Sequence, residues 1–354
     1  MNKIIRFGII GCGEMSQSLT GKDVYSGIGE WHARYVKEIE GAELVAVADL
    51  KEQNAKALAQ KFGVKNYDLD YRDLLKREDI DVVNICTPSG THGEIAIAAA
   101  RAGKHVIVEK PLEVTVEKAQ AIISACDQAG VKLQVVFPFR YSRSMRTVKK
   151  ALGEGVFGKI LLSNAMCRRY RGQDYYDKSS WRGTWALDGG GACMNQGIHI
   201  IDSYLHLLGS VSSVYAHMGT LGHSGAEVED TATALLKFRA GGLGVIEATT
   251  CAYPDFGDRI DLHAEKGSVT LSGHPLQITA WDVLDKKDAI EPDEIRAETV
   301  AEDYVLHKPV IQDMVNAIRE DRPPQVGGRE GIQSLEVIQA IYRSAREGKE
   351  ITFS

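Results

Sequence analysis

The sequence predicts an α/β protein in two parts: a doubly wound parallel sheet over residues 1–138, then an α/β domain over 139–354 built on a large, open, mostly antiparallel sheet. Three observations carry this. Across the first part, short apolar runs alternate with helical segments in units of roughly 30 residues, the rhythm of parallel strands joined by crossover helices. The first of those strands ends in a glycine-rich turn, GCGEMS. After Pro138 the rhythm changes to strand after strand, several with alternating apolar and polar residues and short glycine turns, which implies antiparallel pairing with one covered face.

Lys3–Ile10 is an apolar strand, and Gly11 and Gly13 sit where it would turn into a helix. In a G-x-G-x-x-G loop the first glycine makes the turn, the second lets a pyrophosphate approach the backbone, and the third lets the helix pack on the sheet. Ser16 takes the third place in this reading, with Glu14 and Met15 inside the loop. A second strand, Leu44–Ala48, ends in Asp49. An acid at that tip accepts hydrogen bonds from an adenosine ribose and repels a 2′-phosphate, which favours NAD over NADP. Gly13 and Asp49 are 36 residues apart, against an expected gap of about 20. The stretch Gln17–Trp31, glycine- and serine-rich without helical periodicity, reads as an inserted loop; setting its 15 residues aside leaves 21.

Helices over Asn54–Lys61 and Tyr71–Lys76, the strand Asp81–Cys86, the helix Gly93–Arg101 and the strand His105–Val108 continue the alternation. Such sheets bind ligands beyond the carboxyl ends of their strands. Thr87, Pro88, His92, Glu109 and Lys110 all fall there, and Lys110 precedes a proline that biases it towards extended geometry. A helix Thr115–Ala129, stopped by Gly130, and a strand Val131–Phe137 close the first part.

In the second part a helix, Ser144–Glu154, leads to strands at Ile160–Arg169, Val214–Met218, Thr231–Phe238, Leu243–Thr250, Arg259–His263, Ser268–Leu271 and Leu276–Ala280. The charged stretch Asp282–Asp303 reads as a surface excursion, followed by helices at Pro309–Glu320 and Arg329–Glu347. Between the first two strands lies the run GGGACMNQGIHIID, Gly189–Asp202. A helix over Ala192–Leu208 places Asn195, His199, Asp202 and His206 on one stripe and Met194, Ile198, Ile201, Leu205 and Leu208 on the other. An amide and an imidazole one turn apart, beside the bare backbone of Gly197, suit a polyol. Just upstream, RRYRGQDYYDKSSWRGTW, Arg168–Trp185, offers arginines for phosphates or hydroxyls and aromatic faces for sugar rings. Arg168, Tyr176, Trp181 and Arg182 are the expected contacts there; a subunit interface is the competing use of such a loop.

Composition excludes several classes. A net charge of -6 with scattered Lys and Arg gives no basic stripe for nucleic acid. No apolar run approaches the roughly 18 residues of a spanning helix, and the N-terminus enters a strand pattern rather than a signal peptide. The six cysteines contain no CxxC pair and suit reduced thiols in a cytoplasmic protein. No His/Cys spacing suggests zinc, so no metal is expected.

Taken together in this order, GIIGCG, a strand ending in Asp, TPxxxH, EKP, GGGxxxxxGxHxxD and EGIQSLEVIQAIYRSAREG resemble the Gfo/Idh/MocA oxidoreductases over nearly the whole chain. The resemblance implies a Rossmann domain plus an open-sheet domain through which subunits form homodimers or homotetramers. It also implies reversible hydride transfer between NAD and a secondary hydroxyl of a sugar, inositol or sugar nucleotide. Lys110 matches the family's conserved lysine and His199 the histidine of its GxH element, the two converging on the reacting hydroxyl. Burial beside a cationic nicotinamide would make that lysine a usable base. Asn195 stands where relatives commonly carry an acid, which implies a weaker histidine base. MNQGIH is similar to the wording of the sugar-nucleotide and glycoside 3-dehydrogenases, so carbon 3 is favoured. Alternatives on the same scaffold are an NAD-dependent glycosidase working by transient oxidation and elimination, an inositol-type polyol dehydrogenase, and a non-catalytic NAD-dependent sensor.

Overall fold

The computed structural model describes residues 3–17, 23–289 and 305–353. The chain divides into two compact units, Met1–Val136 with Tyr304–Ile332, and Phe137–Asp303 with Gln333–Ser354. The first unit is therefore discontinuous in sequence, where the sequence reading has a single cut after residue 138.

Eight strands belong to the first unit: β1 (Ile5–Ile10), β2 (Glu14–Gln17), β3 (Asp23–Ser26), β4 (Ala42–Ala48), β5 (Asn66–Asp68), β6 (Val82–Ile85), β7 (His105–Val108) and β8 (Leu133–Val135). Six form one all-parallel sheet in the order β5-β4-β1-β6-β7-β8. Every residue of β6 and β8 is buried, as expected when helices cover both faces of a parallel sheet. Chain direction across the sheet reverses between β1 and β6, and the crevice outside their carboxyl ends is where such sheets take ligands. Helices α1 (Ile28–Glu38), α2 (Glu52–Phe62), α3 (Tyr71–Leu75), α4 (His92–Arg101) and α5 (Val116–Ala129) fill the crossovers. The hydroxyl of Thr115 caps α5 by accepting the Lys118 N–H at 3.3 Å.

The second unit holds β9 (Ile160–Arg168), β10 (Val211–Gly219), β11 (Thr231–Phe238), β12 (Leu243–Thr249), β13 (Gly257–Ala264), β14 (Gly267–Ser272), β15 (Gln277–Val283) and β16 (Ile351–Thr352). They form an eight-stranded sheet, β15-β14-β13-β9-β12-β11-β10-β16, antiparallel except where β9 meets β12. Strict alternation along β11 buries Ala232, Ala234, Leu236 and Phe238 and turns Thr233, Leu235 and Lys237 outward. The covered face packs under α6 (Arg143–Gly153) and α8 (Ile198–Leu208). On α8 the fully buried Tyr204 shares a hydrogen bond with Ser163 on β9 at 2.6 Å. A short helix, α7 (Asp174–Asp177), interrupts the aromatic loop; α9 (His307–Arg319) and α10 (Gly328–Glu347) come last. Most of the charged stretch expected at the surface, residues 290–303, lies outside the described residues.

Candidate active site

The dinucleotide fingerprint is present but split. Strands β2 and β3 pair antiparallel with Glu14 opposite Ser26, so the chain leaves the loop at Gly13 and returns at Gly27. A Cβ built on Gly27 would lie 2.6 Å from the Gly13 Cα, and one on Gly29 would lie 2.3 Å from the Gly11 carbonyl oxygen. Space therefore reads Gly11-Cys12-Gly13, then Gly27-Ile28-Gly29, a G-x-G-x-x-G interrupted by 13 residues. Gly29 is the third fingerprint glycine, because it is the residue of α1 that meets the loop backbone; Ser16 lies on β2 instead. Glu14 and Met15 likewise open β2 rather than the phosphate loop. The inserted segment is also shorter than read, since α1 already begins at Ile28 and contains Trp31. Its residues 18–22 lie outside the described residues.

Asp49 is tied to this loop. Its Oδ2 accepts the Cys12 N–H at 2.8 Å and its Oδ1 the Lys51 N–H at 2.9 Å. Gly29 and Asp49 are 20 residues apart, the spacing that puts the acid on the ribose. Gly11, at φ 92°, has no room for a side chain, since a Cβ would stand 2.7 Å from the Cys86 carbonyl. A bare backbone turn at the first glycine and an acid at the second strand tip fit a dinucleotide.

At the ends of β6 and β7 two residues expected to touch cofactor are occupied otherwise. His92 is buried, with Nδ1 2.8 Å from the Pro111 carbonyl and Nε2 3.0 Å from the Thr87 carbonyl. Its hydrogen bonding ties the Thr87-Pro88 corner to the EKP corner, and burial lowers its pKa. Glu109 is buried too. Its Oε1 lies 3.0 Å from His32 Nε2 and 3.6 Å from His307 Nε2, while Oε2 accepts the Lys110 N–H at 3.2 Å. Asn84 donates to His32 Nδ1 at 2.9 Å, which fixes the tautomer with the Nε2 proton on Glu109. Burial would raise Glu109, but the two imidazoles outweigh it and hold the carboxylate well below its usual range. Glu109 thus holds the backbone of Lys110, which is half-buried and joined to Pro111 by a cis bond.

In the second unit the Ala192–Leu208 helix opens with a wide π turn, Ala192–Gly197, before α8. Such turns are rare and recur at functional sites. Asn195 donates its amide N–H to Asp188 Oδ1 at 2.5 Å, and Gln196 donates to Asn195 Oδ1 at 2.9 Å. With its N–H on Asp188, the Asn195 side chain turns its oxygen to Gln196 and to the Tyr175 hydroxyl, 3.5 Å away. His199 packs its ring against Phe139 and Phe137, at centroid distances of 5.4 and 6.2 Å. Asp202, expected on the same polar stripe, instead faces inward. Arg140 grips it bidentately at 2.7 and 2.8 Å with both side chains buried. His206 is half-buried, and burial with Arg140 and Lys149 pushes its pKa down to about 4.

The aromatic loop is displaced by one residue from the expectation. Tyr175 faces Asn195, while Tyr176 is buried against His223 and bonds Thr250 Oγ1 at 3.0 Å. Arg182 lies 4.3 Å above the Tyr175 ring and 5.3 Å from the Trp181 ring. Arg168 is not part of this group. Alternation along β9 turns Cys167 into the core and Arg168 outward, where it pairs with Glu247 at 2.6 Å. Asp188, Tyr175 and Gln196 complete the cluster; Asp188 and Gln196 flank motifs already noted, in LDGGG and MNQG.

Residues 5–137 match the family model for an oxidoreductase family with an NAD-binding Rossmann fold, and residues 145–270 match the GFO/IDH/MocA C-terminal domain. The chain belongs to the GFO/IDH/MocA oxidoreductases. Among GFO/IDH/MocA relatives it is 28% identical to the D-apiose dehydrogenase of Paraburkholderia graminis, over 99% of this chain and 90% of that one. It is 29% identical to the D-glucoside 3-dehydrogenase of Escherichia coli, over 69% and 70%. The structure of the WlbA dehydrogenase from Bordetella pertussis, in complex with NADH and UDP-GlcNAcA, is similar at 34% identity with a TM-score of 0.88, covering 100% of this chain and 98% of that one. As a GFO/IDH/MocA member the protein is an NAD-dependent oxidoreductase of the sugar-dehydrogenase kind. None of its described helices is long and apolar enough to cross a membrane.

Two groups of metal-ligating side chains come close in space among the described residues, His32 with Glu109 and His307, and His223 with Asp230 and Cys251. Hydrogen bonds account for both. The first is the tautomer-locked network under Lys110; in the second, Asp230 Oδ2 already accepts the Gly222 and His223 N–H groups at 2.8 and 2.9 Å.

Proposed function

We propose that this enzyme transfers hydride between NAD and a secondary ring hydroxyl, carbon 3, of a sugar carrying an anionic group such as a uronate or a nucleotide diphosphate. The observation that carries the anionic preference is Arg182. Its guanidinium stacks on Tyr175 beside the Asn195 cluster, and its buried Nε donates to no described residue. A cation held against aromatic faces without a partner for that N–H suits a carboxylate or phosphate. The similarity to WlbA, solved with UDP-GlcNAcA, supports the same class.

In this reading Gly11, Gly13 and Gly29 cradle the pyrophosphate, Asp49 takes the ribose hydroxyls, and Thr87 and Pro88 border the nicotinamide. NAD supplies the hydride acceptor when bound. Lys110 takes the proton from the oxidised hydroxyl, His199 holds that oxygen, and Asn195 fixes a neighbouring hydroxyl. Trp181 and Arg182 hold the rest of the substrate. Subunits pair as dimers or tetramers, and the enzyme works in the cytoplasm.

NADH formation against a panel of free sugars, glucosides, inositols, UDP-sugars and UDP-uronates tests the substrate class; faster turnover of neutral sugars than of every anionic one would overturn it. Lys110→Ala should lower kcat by about 10³-fold, within the range for loss of a general base, and leave NADH affinity within a few fold. Unchanged kcat in that variant would remove Lys110 from the chemistry.

A further inference from the structure

A helix leaves its first N–H groups without partners inside the helix. In the turn that leads to Asn195 and His199, one residue from outside meets three of them in a row. Glu229, just before β11, accepts the Gly191 N–H on Oε2 at 2.9 Å and the Cys193 N–H on Oε1 at 2.8 Å. Its own carbonyl accepts the Ala192 N–H at 2.9 Å. Tyr342, on α10, donates its hydroxyl to Oε1 at 2.8 Å. The clasp also dictates the glycines. A Cβ on Gly191 would stand 1.8 Å from the Glu229 carbonyl oxygen, and one on Gly190 would stand 2.1 Å from the Tyr342 hydroxyl.

We propose that Glu229 is a positioning residue that sets where Asn195 and His199 stand, by clasping the main chain of the turn from which their helix starts. This rests on the reading of Asn195 and His199 as sugar contacts. Glu229 itself touches neither sugar nor NAD in that reading.

The clasp is sensitive to pH near neutrality. Glu229 is 2% exposed, and burial pushes its carboxyl up to about 7, although the two N–H groups and Tyr342 pull it down. The titratable groups around it are Tyr342 on α10 and Cys193 on the turn, both raised by burial, with Asp188 acting on Tyr342 from the preceding loop. A protonated Glu229 carries a hydrogen on one oxygen that now accepts an N–H, so the turn loosens as pH falls below about 7.

Glu229→Gln tests this, because a glutamine must point an N–H at one of the clasped donors. Hydrogen exchange followed by mass spectrometry on peptides covering 189–199 needs no substrate. At least tenfold faster exchange at Gly191 and Cys193 is expected in the variant, with β9 and β12 unchanged. With a sugar that the wild type turns over, KM should rise at least fivefold, NADH affinity should hold, and the limb of kcat/KM near pH 7 should vanish. Tyr342→Phe keeps the carboxylate and both clasped amides; its effect should be milder, with that limb moved to higher pH. Unchanged exchange in Glu229→Gln overturns the proposal, as does an activity loss that only tracks the unfolded fraction while KM and the pH profile stay the same. Faster exchange in an enzyme whose wild type turns over no sugar on the panel would count against the substrate reading and leave the clasp standing.

Discussion

Glu109, under the EKP corner, and Glu229, under the triple-glycine corner, are both buried carboxylates that hold main chain: Glu109 accepts the N–H of Lys110 itself, and Glu229 accepts those of Gly191 and Cys193, just before Asn195. Their carboxylates nonetheless lie on opposite sides of the ordinary range. Two imidazoles stand against Glu109 and hold it well below that range; backbone amides and one phenol surround Glu229, and burial prevails there. Equal burial does not give equal charge. The partners decide it, since an imidazole N–H against a carboxylate in a low-dielectric site favours the anion more strongly than an amide does.

Breaking the stronger network should have the larger effect. Glu109→Gln removes the charge and replaces one of the two accepting oxygens with an N–H donor, so either the imidazoles or the Lys110 N–H faces a donor; it should cost the fold about 3 kcal/mol, read by urea unfolding at pH 7. A carboxylate held low contributes stability above pH 4.5 and loses it as pH falls through its folded value, so the gap between wild type and variant should narrow at acid pH. A constant gap down to pH 3 would mean that charge is not what Glu109 contributes.

Next in size is the split fingerprint. Gly29→Ala puts a methyl group against the Gly11 carbonyl and should weaken NADH binding at least tenfold, measured by NADH fluorescence, while lowering stability by about 1–3 kcal/mol. Unaltered binding would return the third fingerprint position to Ser16.

The pH response of Glu229 is opposite in sign. A carboxyl whose folded value is about 7 against a reference of 4.5 favours the fold at low pH and opposes it, by about 3 kcal/mol, once pH exceeds 7. The melting temperature of Glu229→Gln relative to wild type should therefore improve between pH 5.5 and 8. A difference that worsens over that interval would reverse the assignment.

Much of this was legible beforehand for a physical reason. The strand and helix rhythm of residues 1–138, the acid at Asp49 and the helix from Ala192 depend on local periodicity, and local periodicity is written in order. Asp202 shows the limit: a polar residue on a polar stripe can face a ligand or a buried partner, and Arg140, 62 positions away, supplies the partner. Tyr175 and Tyr176 could not be told apart because the loop that holds them lacks a repeating pattern. The bond between Asp188 and Asn195 depends on the turn at three glycines, which no spacing rule describes. Gly29 was in plain view in SGIGEW, but contiguity was assumed where the chain makes a detour.

The smallest expected effect belongs to that detour. Joining Gly13 directly to Gly27 restores GCGGIG, and the shortened protein should bind NADH within about threefold of the parent and melt within a few degrees of it, because the two ends already adjoin and the entropic cost of a closed loop changes slowly with its length. A segment that departs and returns at adjoining backbone atoms is, in engineering terms, a ready port. A peptide tag or a small reporter domain grafted between those two glycines would leave the distance in space between them as it is.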